Sequence, residues 1–246
     1  MKVELDAVGK GRREHALPVT SAVFESGRVT LVAAETEQRP TVLGLIASGR
    51  MRPDTGRVAI DGRSAASRLR RRVALVDAPE VSEPEPNVTL AGVAAEELMF
   101  AGRRSDPIAV RRWLDEHALG EAASVPVSNV DPADRVRALC ELAVLRTGIE
   151  GIVLVSPDRH GGLPAAWWAI AEEFGARGLA VLVIAGQASR SVLDGGAPDA
   201  STAPSAPTTP AREPLGTRRA PGTRRAPGAP GIRLRRFTAP SKGGRA

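Results

Sequence analysis

Two uninterrupted apolar runs constrain this chain more than any other feature. "GIVLVS" occupies residues 151–156 and "LAVLVIAG" residues 179–186. Each is short and shows no polar alternation, which marks a strand buried on both faces. Between them "PAAWWAIAEEFGARG" reads as a helix. Strand, helix, strand is a βαβ unit, and such units imply a parallel sheet with helices on its faces. Trp167 and Trp168 are neighbours on that helix and point about 100° apart, so they cannot both face one core layer.

The rest of the body supplies compatible pieces. The stretch through "GRVTLVAA" reads as short strands, with a turn at Gly27 and a buried strand carrying Val29, Leu31 and Val32. "PTVLGLIASG" reads as a helix with Pro40 in its first turn. "RPDTGRVAIDG" is turn, strand and turn at Asp61-Gly62, and "RRVALVDAP" is a charged lead-in to a strand over Val73 to Val76. Three helices follow. The first, "TLAGVAAEELMFAG", ends at Gly102. The second is capped by Asp106 with Pro107 behind it and stops at Gly120. The third is capped by Asp131 with Pro132 behind it and carries Val136, Leu139, Cys140, Ala143 and Val144 on one apolar stripe. Cys140 is the single cysteine, which excludes an intramolecular disulfide or a cysteine-based zinc cluster and makes it a packing residue.

Charge divides the chain. Residues 195–246 hold ten arginines and lysines against two acidic residues, +8, so the +6 total leaves the body at −2. This stretch is rich in proline, glycine and alanine and repeats itself in "GTRRAPGTRRAPG". It cannot build a core and is expected to be disordered. It is either a solvated extension or an electrostatic contact for anionic membrane or nucleic acid. The body itself offers no net positive charge to argue for nucleic-acid binding. The N-terminus lacks the apolar core of a secretory signal, and no window approaches the ~18 apolar residues of a membrane span. A cytoplasmic protein is expected, with attachment at the inner face of the cell membrane through a partner left open.

The order of six segments resembles the ATP-binding subunit of ABC transporters over roughly residues 1 to 190. They are "GRVTLVA", "TVLGLIASGRMRPDTGRVAIDGR", "RRVALVDAPE", "DRVRALCELAVL", "GIVLVSPD" and "ARGLAVLVIAG". The resemblance implies an α/β, P-loop-NTPase-like, mainly parallel sheet with flanking helices. It implies an ABC-ATPase-like domain over 1–194, a small helical insert at about 85–127 and the tail at 195–246.

It also implies where chemistry would sit, and those positions hold other residues. The phosphate-loop glycines fall on Ala33, Thr36 and Gln38, the lysine on Arg39 and the metal-binding hydroxyl on Pro40; moving one gap puts Pro40 at the lysine. Glycines serve there because backbone N–H groups must converge on an anion. Residues 33–40 are therefore expected not to form a ring of inward-pointing N–H groups. By position, Arg39 and Thr41 are the nucleotide-binding candidates. Arg39 is either a phosphate partner or a solvated surface arginine. The Q-loop glutamine falls on Ala78, the signature glycines near Val130 and Asp131, the Walker B aspartate on Ser156, the catalytic glutamate on Pro157 or a gap, and the switch histidine on Gly186.

One polar cluster follows a strand end, "SPDRHGG" at residues 156–162. Asp158 and His160 are either a replacement site, metal-binding or acid–base, or part of a polar turn. The leading expectation is a degenerate ABC-type ATP-binding subunit, non-catalytic or weakly active, with no catalytic or metal residues assigned and ATP and magnesium implied by resemblance alone. Its partners would be a membrane permease subunit or another ABC ATPase subunit. The alternatives are an active ABC ATPase with an aberrant phosphate loop, and an interaction module working through its basic tail.

Overall fold

A computed structural model describes residues 1–35 and 39–195. The tail and its expected disorder lie outside the described residues, as do Thr36, Glu37 and Gln38. Strands β1 (Lys2–Lys10), β2 (Leu17–Glu25) and β3 (Arg28–Ala33) come first. Helix α1 (Arg39–Ala47), strand β4 (Thr55–Ile60), helix α2 (Ala66–Arg72) and strand β5 (Val73–Val76) follow. Then come helices α3 (Leu90–Phe100), α4 (Pro107–Glu116) and α5 (Pro132–Val144). Strand β6 (Gly151–Val155), helix α6 (Pro164–Ala176), strand β7 (Ala180–Ala185) and helix α7 (Gln187–Leu193) close the described chain.

The strands form two sheets, an antiparallel one in the order β2-β1-β4 and a parallel one in the order β3-β7-β6-β5. The βαβ unit read from the two apolar runs is β6-α6-β7. Its strands pair in parallel from Gly151 opposite Ala180 to Val155 opposite Ile184. Both strands are wholly buried because the parallel sheet is covered on both faces. Ile152, Leu154, Val181 and Val183 face a core shared with α3, α4, α5 and α6. Val153, Val155, Leu182 and Ile184 face a second core shared with α1 and the antiparallel sheet.

Three sequence expectations need amendment. Strands β1 and β2 are nine residues each rather than short. The strand holding Val29, Leu31 and Val32 is half-buried, because β3 pairs only with β7 within its sheet and ends it. The charged lead-in before β5 is helix α2, whose pattern is hidden because Leu69 is its one buried residue among four arginines. The capping expectations hold. Asp106 accepts the Ala109 N–H, and Asp131 accepts those of Ala133 and Asp134. Cys140 is buried in the helical core, and that burial pushes its thiol pKa up.

Helix α1 ends in a backbone motif that explains "SG" at residues 48–49. Gly49 takes φ 72°, its N–H donates to Ile46 O, and the Arg50 N–H reaches back to Leu45 O. A Cβ at Gly49 would lie 2.7 Å from Leu69 Cβ and 2.8 Å from Ala66 O on α2. Gly49→Ala is expected to lower stability by at least 1–2 kcal/mol from the left-handed backbone alone. The contact with α2 adds to that. A urea denaturation midpoint that falls with unchanged slope would show it, and an unmoved midpoint would refute it.

Candidate functional site

All four strands of the parallel sheet end on the same side, and the positions singled out by sequence cluster there. Two strand ends turn sharply. Asp77 leaves β5 at φ 55° and Ser156 leaves β6 at φ 49°, left-handed values uncommon for residues with a side chain. After Ser156 the chain makes a short 3-10 turn over Pro157–His160. That turn sends Asp158 one way and Arg159 and His160 another.

Asp158 turns toward the end of β7. Its Oδ2 accepts the Gly186 N–H at 2.8 Å and the Ser189 hydroxyl at 3.0 Å. From the end of β3, Glu35 Oε1 accepts the Gln187 N–H at 2.7 Å. Two carboxylates thus take the first donors at the start of α7. Gly186 is hemmed in by them, since a Cβ there would lie 3.1 Å from Asp158 Oδ2 and 3.6 Å from Glu35 Oε1.

His160 and Arg159 turn instead toward Asp77, a residue the sequence reading passed over. Asp77 is fully buried and lies between Arg135 of α5 and the 3-10 turn. Arg135 grips it with two bonds, Nη2 to Oδ1 at 2.6 Å and Nε to Oδ2 at 3.2 Å, and gives Nη1 to Val127 O. Arg159 donates to Asp77 Oδ1 and to its carbonyl, and also reaches Glu83 at 2.6 Å. His160 Nε2 stands 3.1 Å from Asp77 Oδ2 without a well-aligned hydrogen bond. Burial pushes the Asp77 carboxyl up, but His160, the two Arg135 bonds and the Arg159 charge outweigh it and hold it at about 2.

Asp158 and His160 therefore face different groups, Asp158 the start of α7 and His160 the Asp77 carboxylate. No group of three or more His, Cys, Asp or Glu placed to hold a metal ion occurs among the described residues. Arg39 and Thr41 lie at the start of α1. Thr41 Oγ1 is buried with no hydrogen-bond partner among the described residues. Pro40, between them, brings no N–H. The reading that residues 33–40 lack converging N–H groups turns on 36–38, outside the described residues. The start of α5 matches the capping expectation. Asp131 caps α5 through Ala133 and Asp134, and burial followed by the Asp131 charge raises the Asp134 carboxyl.

The Asp77 cluster was missed because the Q-loop position drew attention to Ala78, which is buried in the α1-side core. The signal present was a polar residue directly behind the apolar run "VALV", where a sheet delivers its functional groups.

No protein-family model matches the sequence, and a search of curated proteins finds no match. Solved structures do match the fold. An ATP-binding subunit of an ABC transporter is 19% identical, with a TM-score of 0.52 over 78% of this chain and 82% of that one. A nucleotide-free ATP-binding cassette from an ABC transporter is 16% identical, at 0.54 over 78% and 85%. An ATP-binding cassette in its ADP conformation is 16% identical, at 0.53 over 76% and 82%. The chain has the fold of ABC-transporter ATP-binding subunits. No helix among the described residues is long and apolar enough to cross a membrane.

Proposed function

We propose that this chain is a degenerate ABC-type ATP-binding subunit that does not hydrolyse ATP on its own. It acts by association with a membrane permease or with a second, competent ATPase subunit, peripheral to the inner face of the membrane. The observation that carries this reading is the internal use of the sheet's C-terminal edge. Phosphoryl transfer depends on positioned metal, cations and backbone donors around the transferred group. Here Glu35 and Asp158 already hold the donors at Gly186 and Gln187, and Arg135 and Arg159 are committed to Asp77.

The residues present do not fit magnesium and ATP. Pro40 offers no N–H at the helix start, and Glu35 and Asp158 place two carboxylates beside Gly186 at the same end of the sheet, where their charge would repel a phosphate. The edge is better suited to holding its own loops still than to turning over a ligand. That favours a scaffolding or regulatory role over a driving one.

Titration with a fluorescent ATP analogue tests the reading, with tryptophan quenching as a second signal. The expected result is no magnesium-dependent saturation in the micromolar range and no response to Arg39→Ala. Micromolar, magnesium-dependent binding that Arg39→Ala abolishes would overturn it in favour of an active ATPase with an aberrant loop.

A further inference from the structure

The body's net charge of −2 conceals a strongly basic segment. Residues 50–72 carry eight arginines and two aspartates, a balance of +6. The two aspartates are already neutralised. Asp54 is held by Lys10 Nζ at 2.6 Å and by the Gly11 N–H, and Asp61 by Arg72 and Arg68. That leaves a positive surface around the far end of α1, about 13 Å along the helix from Arg39.

The surface is concave there. A cavity of about 600 Å³ opens between the end of α1, β4 and α2. Met51, Val58 and Leu69 contribute an apolar floor, and Arg50, Arg52, Arg57 and Arg70 line it beside Asp54, whose carboxylate Lys10 holds. Arg50 is half-buried. Its Nη1 donates to Ser48 O and Val73 O, and no carboxylate among the described residues stands against it. Arg70 donates to Gly49 O. The bonds to Ser48 O and Gly49 O cover carbonyls just past the end of α1, which would otherwise repel an anion. Arg52 has no side-chain partner among the described residues, and Arg57 has one exposed contact with Asp6 at 3.3 Å. Burial, then the like charges of Arg146 and Arg70, lower the Arg50 pKa.

We propose that this cavity is a binding site for a phosphate-bearing anion with two or more phosphate groups. The guanidinium fork matches phosphate oxygens in pairs, and several forks around one concavity favour a ligand with several such groups. The cavity is larger than one inorganic phosphate needs, and its apolar floor accommodates the ligand's uncharged part. The ligand is either a free polyphosphate compound or a phosphorylated lipid headgroup. The site is separate from the strand-end edge, so the proposal stands or falls apart from the nucleotide reading above.

Calorimetric titration of the full chain with inorganic tripolyphosphate tests it, because this probe carries only the proposed chemistry. A parallel arm measures co-sedimentation with vesicles containing a phosphoinositide, against vesicles of phosphatidylcholine alone. The key variant is Arg52→Ala with Arg57→Ala, two exposed side chains whose loss removes from the fold only the exposed Arg57–Asp6 pair. A tail control, Arg218→Ala with Arg219→Ala, removes the same charge elsewhere. Saturable tripolyphosphate binding that weakens at least tenfold in the cavity variant and not in the tail variant supports a free ligand. The same pattern confined to phosphoinositide vesicles supports a headgroup. Equal weakening by both variants, or no binding in either arm, overturns the proposal.

Discussion

Asp77→Asn lowers the free energy of unfolding at pH 7 by about 3–5 kcal/mol, the expected cost of removing one member of a buried ion cluster. The amide keeps the shape and tolerates the left-handed backbone at φ 55°. The loss therefore reports charge. Without the carboxylate, Arg135 and Arg159 converge on a neutral group, and the Arg135 side chain is almost wholly buried there. The pH dependence has a definite sign. The Asp77 carboxyl is held below its ordinary value, from 3.8 to about 2. Its stabilisation is complete above the unfolded-state value and disappears as pH falls toward the folded one. The gap between wild type and variant is thus constant above pH ~5 and shrinks by roughly 2 kcal/mol between about pH 4 and pH 2. Denaturant midpoints across that range measure it. A variant within 1 kcal/mol of wild type at pH 7 would mean that the cluster contributes little to holding the strand end.

The tryptophan pair separates next. Trp167 is buried to 1% exposure against the helical core, whereas Trp168 is half-buried and donates its Nε1 to Glu172 at 3.0 Å. Trp167→Ala is expected to cost about 3–5 kcal/mol, as transfer energy and cavity add. Trp168→Ala removes a partly solvated ring and is expected to cost about 1 kcal/mol or less. Equal losses measured by chemical denaturation would contradict this placement of α6. The rings lie edge to face at 6.4 Å, so the comparison also removes one shared contact from each variant.

What could be read in advance follows the range of the physics involved. The βαβ unit was legible because burial on both faces writes itself as unbroken apolar runs, "GIVLVS" and "LAVLVIAG". Asp106 and Asp131 were legible as caps because a cap and its N–H groups lie within three residues. Helix α2 was not legible, since one buried leucine gives no period. Nor was the Asp77 cluster, whose members come from positions 77, 135, 159 and 160 and meet through tertiary folding. Asp158 and His160 looked like a pair because they are two residues apart. A 3-10 turn rotates successive side chains by about a third of a circle, and it sends these two to different strand ends.

The end strand β5 has a bearing on the molecule's behaviour in company. An open sheet edge is a template for another chain's strand, and parallel sheets offer two of them. This one is four residues long, fed directly by α2 and broken off at once by Asp77. Arg50 already occupies the Val73 carbonyl, and Arg72 at its entrance is held by Asp61 and Glu150. An incoming strand would find about 13 Å of partner, bracketed by fixed charges. The ion pairs that anchor the edge within one molecule also discourage its growth into a neighbour, so crowding many copies together meets a built-in stop against intermolecular strand pairing at β5.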